Sequence, residues 1–232
     1  MANDSPIIIA LDFANAKLAN NFLDQIQGRP CKLKVGLELF IAEGPSFVES
    51  LSARGHQVFL DLKLHDIPNT VASACKSAAN LGVWLMTLHA SGGSAMLTAA
   101  HNAMAESSHT TKLVAVTVLT SMDQQQLNGV GVEHSAAQQV ENLANVAMQA
   151  SMDGVVCSVH ESQQVRQQWQ SAIIVTPGIR MHDSKSDDQS RIATPQQACQ
   201  AGSNYIVVGR PITQAADPVL ALDEYLASWG AS

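Results

Sequence analysis

The chain has 232 residues, 46% of them hydrophobic and 14% charged, with a formal net charge of −7. No lysine or arginine run occurs, which argues against a nucleic-acid surface or an anionic membrane as partner. A small anionic ligand, needing only a few well-placed cations, is still allowed. Nothing approaches the ~18 apolar residues of a membrane span. The opening MANDSPIIIALD carries Asp4 and a very short apolar run, so a signal peptide is not expected. Cys31, Cys75, Cys157 and Cys199 form no C-x-x-C pair and read as reduced thiols of a cytoplasmic protein, not as metal ligands.

Short apolar, β-branched runs alternate with longer helical patterns. Strands are predicted at Ile7–Leu11, Leu33–Gly36, Val58–Leu62, Val83–Leu88, Leu113–Leu119, Gly154–Cys157, Ile173–Thr176 and Tyr205–Val208. Helices are predicted at Ala16–Ile26, Leu39–Ala53, Val71–Leu81, Ser94–Ala105, Ala136–Ala150, Glu161–Gln168, Pro195–Ala201 and Pro218–Trp229. Alternation of this kind implies a parallel sheet. Eight units of about 29 residues each point to a closed (β/α)8 barrel and not to an open doubly wound sheet. No linker rich in Pro, Gly or Ser divides the chain, so one domain is expected.

Active sites of such barrels lie at the C-terminal strand ends. Those ends carry Asp12, Lys34, Asp61 with Lys63, His89, Thr120 with Ser121, Ser158, Pro177, and Gly209 with Arg210, whereas the strand interiors are nearly all apolar. The densest group is VFLDLKLHDIPNT at Val58–Thr70. Alternate residues of a strand share a face, so Asp61 and Lys63 project together. Asp66 follows one turn later, before Pro68, where a helix can begin. A solvated loop cluster would explain an isolated D-x-K-x-x-D. It does not explain why Asp12 and Lys34 converge on the same rim.

Two late features complete the pattern. GIRMHDSKSDDQSRIAT, residues 178–194, is a long polar segment without apolar periodicity, and its position over the barrel mouth suggests a lid. YIVVGRPIT then ends strand eight with Gly209, whose N–H can approach a ligand closely, and Arg210, whose guanidinium fork suits phosphate oxygens. Phosphate is commonly held after strands seven and eight of these barrels. His56, His101, His109, His134 and His182 stand alone and read as solvated. His65 and His89 lie near the rim without metal-ligand spacing, and His89 reads as a packed, hydrogen-bonded residue. At Gly92-Gly93 a turn role and a backbone-contact role stay open, and Glu38 and Glu43 read as solvated helix-face charges.

ALDF at 10–13, LKVG at 33–36, DLKLHDIPNT at 61–70, HASGG at 89–93, VLTSM at 118–122, TPGIR at 176–180 and VVGRPIT at 207–213 together resemble the orotidine 5′-phosphate decarboxylase family of the bacterial type, over essentially the whole chain. The resemblance implies a homodimer of (β/α)8 barrels that converts orotidine 5′-monophosphate to uridine 5′-monophosphate and carbon dioxide, with neither metal nor organic cofactor. It implies Lys63 as the proton donor to C6, with Asp61 and Asp66 favouring its charged form and Lys34 holding Asp61. Asp66 and Thr70 would enter the partner's site, with Thr70 on the ribose. Asp12 would accept from ribose hydroxyls, Thr120 and Ser121 would meet the pyrimidine edge, and Pro177 would offer apolar surface to the departing carboxylate. Gln189, Arg180, Gly209 and Arg210 would hold the phosphate. Two alternatives are a Mg²⁺-dependent sugar-phosphate decarboxylase or aldolase of the same superfamily, and a catalytically silent sugar-phosphate-binding barrel. The former carries an acidic ligand where Lys34 stands.

Overall fold

The computed structural model describes residues 5–181 and 192–231. Eight parallel strands, β1 (Ile7–Ala10), β2 (Lys32–Gly36), β3 (Val58–Leu64), β4 (Leu85–His89), β5 (Lys112–Val116), β6 (Gly154–Val156), β7 (Ile173–Thr176) and β8 (Tyr205–Val208), pair in chain order, and β8 closes on β1. This is the single (β/α)8 barrel expected from the alternation of elements. Strands covered on both faces tolerate continuous apolar runs, and Ile7, Ile8 and Ile9 are all fully buried.

The outer layer is formed by α1 (Ala16–Gln25), α2 (Leu37–Ala53), α3 (Pro68–Ala79), α4 (Gly93–Ala105), α5 (Gln124–Gly129), α6 (Ala136–Gln149), α7 (Val159–Gln168), α8 (Pro195–Gln200), α9 (Arg210–Thr213) and α10 (Pro218–Gly230). Several of their starts are set by side-chain caps. Asn15 accepts from the Leu18 N–H at 3.0 Å, and Asp123 and Thr194 each form a reciprocal capping box. The short α5 and α9 are not among the helices predicted from periodicity. The helix expected at Leu39–Ala53 starts two residues earlier and is broken at Gly44, whose φ of 70° precedes Pro45. A residue before proline is pushed out of the helical region, and glycine accepts that conformation without a Cβ clash. Strand β5 stops at Val116, short of the expected Leu119.

The barrel interior is filled by Ile8, Phe59, Leu85, Val114 and Val175. Below them, at the N-terminal strand ends, the fully buried Lys32 places its ammonium 5.3 Å from the Trp84 ring and 4.9 Å from the Tyr205 ring. A larger apolar shell lies between the strands and the helices.

Strand β3 is irregular where it runs beside β4. Leu60 pairs with Met86 of β4 and Leu64 pairs with Leu88, so four steps on one strand face two on the other. The surplus is even, so the alternation of faces survives it. Phe59, Asp61 and Lys63 still line the central cavity, while Leu60, Leu62 and Leu64 face an apolar cavity toward α2 and α3. Lys63 lies inside the irregular stretch at φ 51°, in the left-handed region that non-glycine residues rarely occupy.

Of the segment expected as a lid, Gly178–Met181 and Ile192–Thr194 are tied by a short parallel bridge. Arg180 N–H donates to the Ala193 carbonyl at 2.9 Å, and Ala193 N–H donates to that of Gly178 at 3.2 Å. The remainder, including Gln189 and His182, lies outside the described residues.

Candidate active site

A cavity of about 300 Å³ opens at the C-terminal strand ends. Ten of the thirteen residues expected to form the site line it: Asp12, Lys34, Asp61, Lys63, Thr120, Ser121, Pro177, Arg180, Gly209 and Arg210. They come from widely separated parts of the chain. Asp12 follows β1, Lys34 lies on β2, Asp61 and Lys63 lie on β3, Thr120 and Ser121 follow β5, Pro177 and Arg180 follow β7, and Gly209 and Arg210 follow β8.

The charged centre is a chain of alternating sign. Lys34 Nζ lies 3.1 Å from Asp12 Oδ1 and 3.8 Å from Asp61 Oδ2, and Asp61 Oδ2 lies 2.9 Å from Lys63 Nζ. Exposure separates the strong links from the weak. The Asp12 side chain is 56% exposed, so water screens its pairing with Lys34. Asp61 is 12% exposed and Lys34 11%, and there the attraction is screened far less. Asp61 is therefore the hub, placed between two ammonium groups. The room for Lys34 depends on Gly36. A Cβ built at Gly36 would stand 2.9 Å from Lys34 Nζ, closer than real Cβ contacts come.

The apolar part of the cavity is formed by Ala10, Phe59, Val116, Val118, Val156 and Val207 among others, with Cys157 at the end of β6. Pro177 adds to this apolar lining.

The remaining expected residues fall elsewhere. Asp66 and Thr70 are exposed and do not line this chain's cavity; Asp66 Oδ1 accepts from the Ile67 N–H at 2.7 Å. Within one chain, Lys63 is thus flanked by one carboxylate of the D-x-K-x-x-D motif. Gln189 lies outside the described residues.

Several rim residues are structural. Ser158 is fully buried and caps α7, its Oγ donating to the Glu161 carboxylate. His89 Nδ1 pairs with Ser91 Oγ at 2.9 Å, and its ring stacks on His65 with centroids 5.4 Å apart. Burial, followed by the neighbouring His65 ring and the Lys63 ammonium, holds the His89 imidazole below its usual range. The packed, hydrogen-bonded role expected of His89 is what the geometry shows. Glu43, by contrast, is not an idle charge of the helix face, since its Oε1 accepts from the Ala16 N–H at 2.8 Å and ties α2 to the start of α1. His56 is half-buried and not fully solvated, and burial together with Arg54 lowers its pKa.

Sequence reasoning passed over Thr87. This buried residue of β4 donates from Oγ1 to Asp61 Oδ1 at 2.9 Å and accepts the Lys63 N–H at 2.9 Å. The only signal was a hydroxyl inside the apolar run VWLMTLH. A buried polar group must find a partner, but nothing in the run says which.

Among the described residues, no group of three or more His, Cys, Asp or Glu is placed to hold a metal ion, and no helix is long and apolar enough to cross a membrane. The space between Asp12 and Asp61 is taken by the Lys34 ammonium.

The family model described as orotidine 5′-phosphate decarboxylase / HUMPS family matches residues 5–225. An orotidine 5′-phosphate decarboxylase of Pectobacterium carotovorum is 53% identical over 222 residues, covering 95% of this chain and 90% of the relative. The protein of that name from Chromobacterium violaceum is 51% identical over 219 residues, with 94% and 89% covered. The crystal structure of orotidine 5′-phosphate decarboxylase from Lactobacillus acidophilus superposes with a TM-score of 0.87 at 38% identity, covering 98% of this chain and all of that one.

Proposed function

The chain belongs to the orotidine 5′-phosphate decarboxylase family, and on that premise we propose how its cavity converts orotidine 5′-monophosphate to uridine 5′-monophosphate and carbon dioxide. The observation that carries the reading is the ammonium of Lys63, held 2.9 Å from Asp61 at the wall of the strand-end cavity. The C6–carboxylate bond breaks, its electron pair stays on C6, and carbon dioxide leaves. Lys63 then gives C6 a proton and is left as a neutral amine.

No conjugated electron sink takes up that pair, so the vinyl-type carbanion depends on the nearby cation. Preorganised charge in a site that excludes water is the strongest means available to a protein. Enzymes lower barriers by about 8–23 kcal/mol, and a reaction of this kind sits toward the upper end. Asp61 keeps Lys63 charged and oriented, and Lys34 compensates Asp61 from its other side. Asp61 beside the substrate carboxylate adds repulsion in the ground state, and apolar surface at Pro177 suits an uncharged product.

The nucleotide is held by the remainder of the rim. Asp12 accepts from ribose hydroxyls, and Thr120 and Ser121 meet the pyrimidine edge. The Gly209 N–H, Arg210 and Arg180 hold the phosphate, with Gln189 closing from the lid segment. Phosphate binding then supplies free energy for closure and desolvation at a carbon it never touches.

The active unit is a homodimer in the cytoplasm. Asp66 and Thr70 are both exposed, which supports their entry into the partner's site, and Ile67 between them is 67% exposed. A second chain covering that loop would bury Ile67 and bring a second carboxylate to Lys63. The metal-dependent alternative is disfavoured because the Lys34 ammonium, 3.1 and 3.8 Å from two carboxylates, would repel a divalent ion there.

The test is loss of orotidylate absorbance with metal-stripped protein in excess chelator. Full turnover is expected for the native chain and none for Lys63→Ala with its fold intact. Dependence on added Mg²⁺, or turnover by Lys63→Ala, would overturn the mechanism.

A further inference from the structure

The Thr87 hydroxyl is placed so that its hydrogen-bonding direction is forced. The Lys63 N–H can only donate, and the Asp61 carboxylate, between two ammonium groups, can only accept. The single hydroxyl proton must therefore point at Asp61 Oδ1, while a lone pair receives Lys63 N–H, both at 2.9 Å. The result is a polarised relay, N–H to O–H to carboxylate, in which each bond strengthens the next. It joins the backbone of the proton donor to the acid that orients the same residue's ammonium.

The relay sits at the irregularity between β3 and β4. Lys63 is at φ 51°, within the stretch where β3 carries surplus residues and its pairing with β4 shifts register. A side chain of the neighbouring strand, not a ladder carbonyl, accepts the Lys63 N–H. With Oδ1 of Asp61 fixed by Thr87, Oδ2 is turned to Lys63 at 2.9 Å and Lys34 at 3.8 Å. Thr87 does not itself line the cavity. It lies behind the two residues, against the apolar cavity bounded by Leu62 and Leu64.

We infer that Thr87 is a positioning residue of the decarboxylation: its hydroxyl sets both the rotation of the Asp61 carboxylate and the backbone geometry from which the Lys63 ammonium is presented to C6. The inference rests on the decarboxylase reading. Nucleotide binding through Thr120, Gly209 and Arg210 does not pass through Thr87, which therefore acts on the chemical step and not on affinity.

The experiment compares Thr87→Val, which keeps the shape without the hydroxyl, with Thr87→Ser, which keeps the hydroxyl, and with Thr87→Ala. Folding is checked by circular dichroism, and uridine 5′-monophosphate binding by titration. Thr87→Val should lower kcat by about 10–100-fold, the scale of a catalytic group displaced by up to 1 Å, with KM and uridine 5′-monophosphate affinity within about 3-fold. Thr87→Ser should stay within about 3-fold of the native kcat. If the valine variant fails to fold, the serine-to-alanine kcat ratio decides, with about 10 or more expected at nearly equal side-chain volume. An unchanged kcat in Thr87→Val, a serine variant as impaired as alanine, or a parallel rise in KM overturns the inference. An inactive native chain in the same assay would instead overturn the decarboxylase reading on which it rests.

Discussion

Replacing Lys63 by glycine and by alanine separates what that residue does for the reaction from what it does to the fold. Both variants lose the ammonium and the 2.9 Å contact with Asp61, so neither should release carbon dioxide. They differ in the backbone. A non-glycine residue in the left-handed region costs about 1–2 kcal/mol, and at φ 51° alanine keeps that cost while glycine does not. Glycine gives back about 0.5–1 kcal/mol through its larger unfolded-state entropy. The net expectation is that Lys63→Gly is more stable than Lys63→Ala by about 0.5–1 kcal/mol, or about 1–4 °C in Tm for a domain of this length. Scanning calorimetry, with urea titration to confirm a reversible two-state transition, reads this difference directly. The contact with Asp61 is missing from both proteins and cancels. An alanine variant as stable as the glycine one would mean that the irregular stretch of β3 carries no backbone strain at Lys63, and the account of Lys63 as a residue held in place by its neighbours would fail.

Gly36→Ala places a Cβ 2.9 Å from Lys34 Nζ. The ammonium must withdraw, and kcat/KM should fall by about 10-fold; steady-state kinetics at unchanged values would show that Lys34 has room to spare. Arg210→Ala removes a cation from the part of the cavity proposed to hold phosphate and, on that reading, should lower kcat/KM by about two orders of magnitude or more, whereas a near-normal value refutes that division of labour. Burial pushes the Cys31 thiol up to about 11 and the Cys75 thiol up to about 12. At pH 8 about one in a thousand Cys31 groups, or fewer, is then thiolate; a disulfide reagent should spare both in the native protein and reach the less buried Cys199 first. His56 and His89 are held below their usual range in the folded chain, so the unfolded state takes up their protons more readily as the medium acidifies. Stability from keeping them neutral is complete above about pH 6.5 and is lost as pH falls through the folded values. Tm should therefore drop on the acid side, and the drop should shrink in His89→Gln; an identical profile for that variant would refute the assignment.

The fold was legible because its signal is repetitive. Eight apolar runs separated by amphipathic stretches leave little besides a barrel, and strand polarity then places every C-terminal end on one rim. Asp12, Lys34, Asp61 and Lys63 could be gathered from that rule alone. Thr87 could not, because its importance comes from a register shift between β3 and β4 that no local pattern announces. Ser158 failed in the opposite direction. Its place at a strand end is shared by catalytic residues and by helix caps, and only Glu161 three residues on, completing a capping box, tells the two apart. The helix break at Gly44-Pro45 was written in the sequence, but a period-based reading runs across it.

The paired surplus on β3 restricts how this stretch can change in length. Inserting or deleting one residue between Leu60 and Leu64 would exchange the two faces of the strand, turning the amine into the greasy layer under the helices and a leucine into the nucleotide's place. Two residues at a time leave the amine where it is. Descendants of this chain can therefore lengthen or shorten that segment only in even steps if the amine is to stay at the cavity wall.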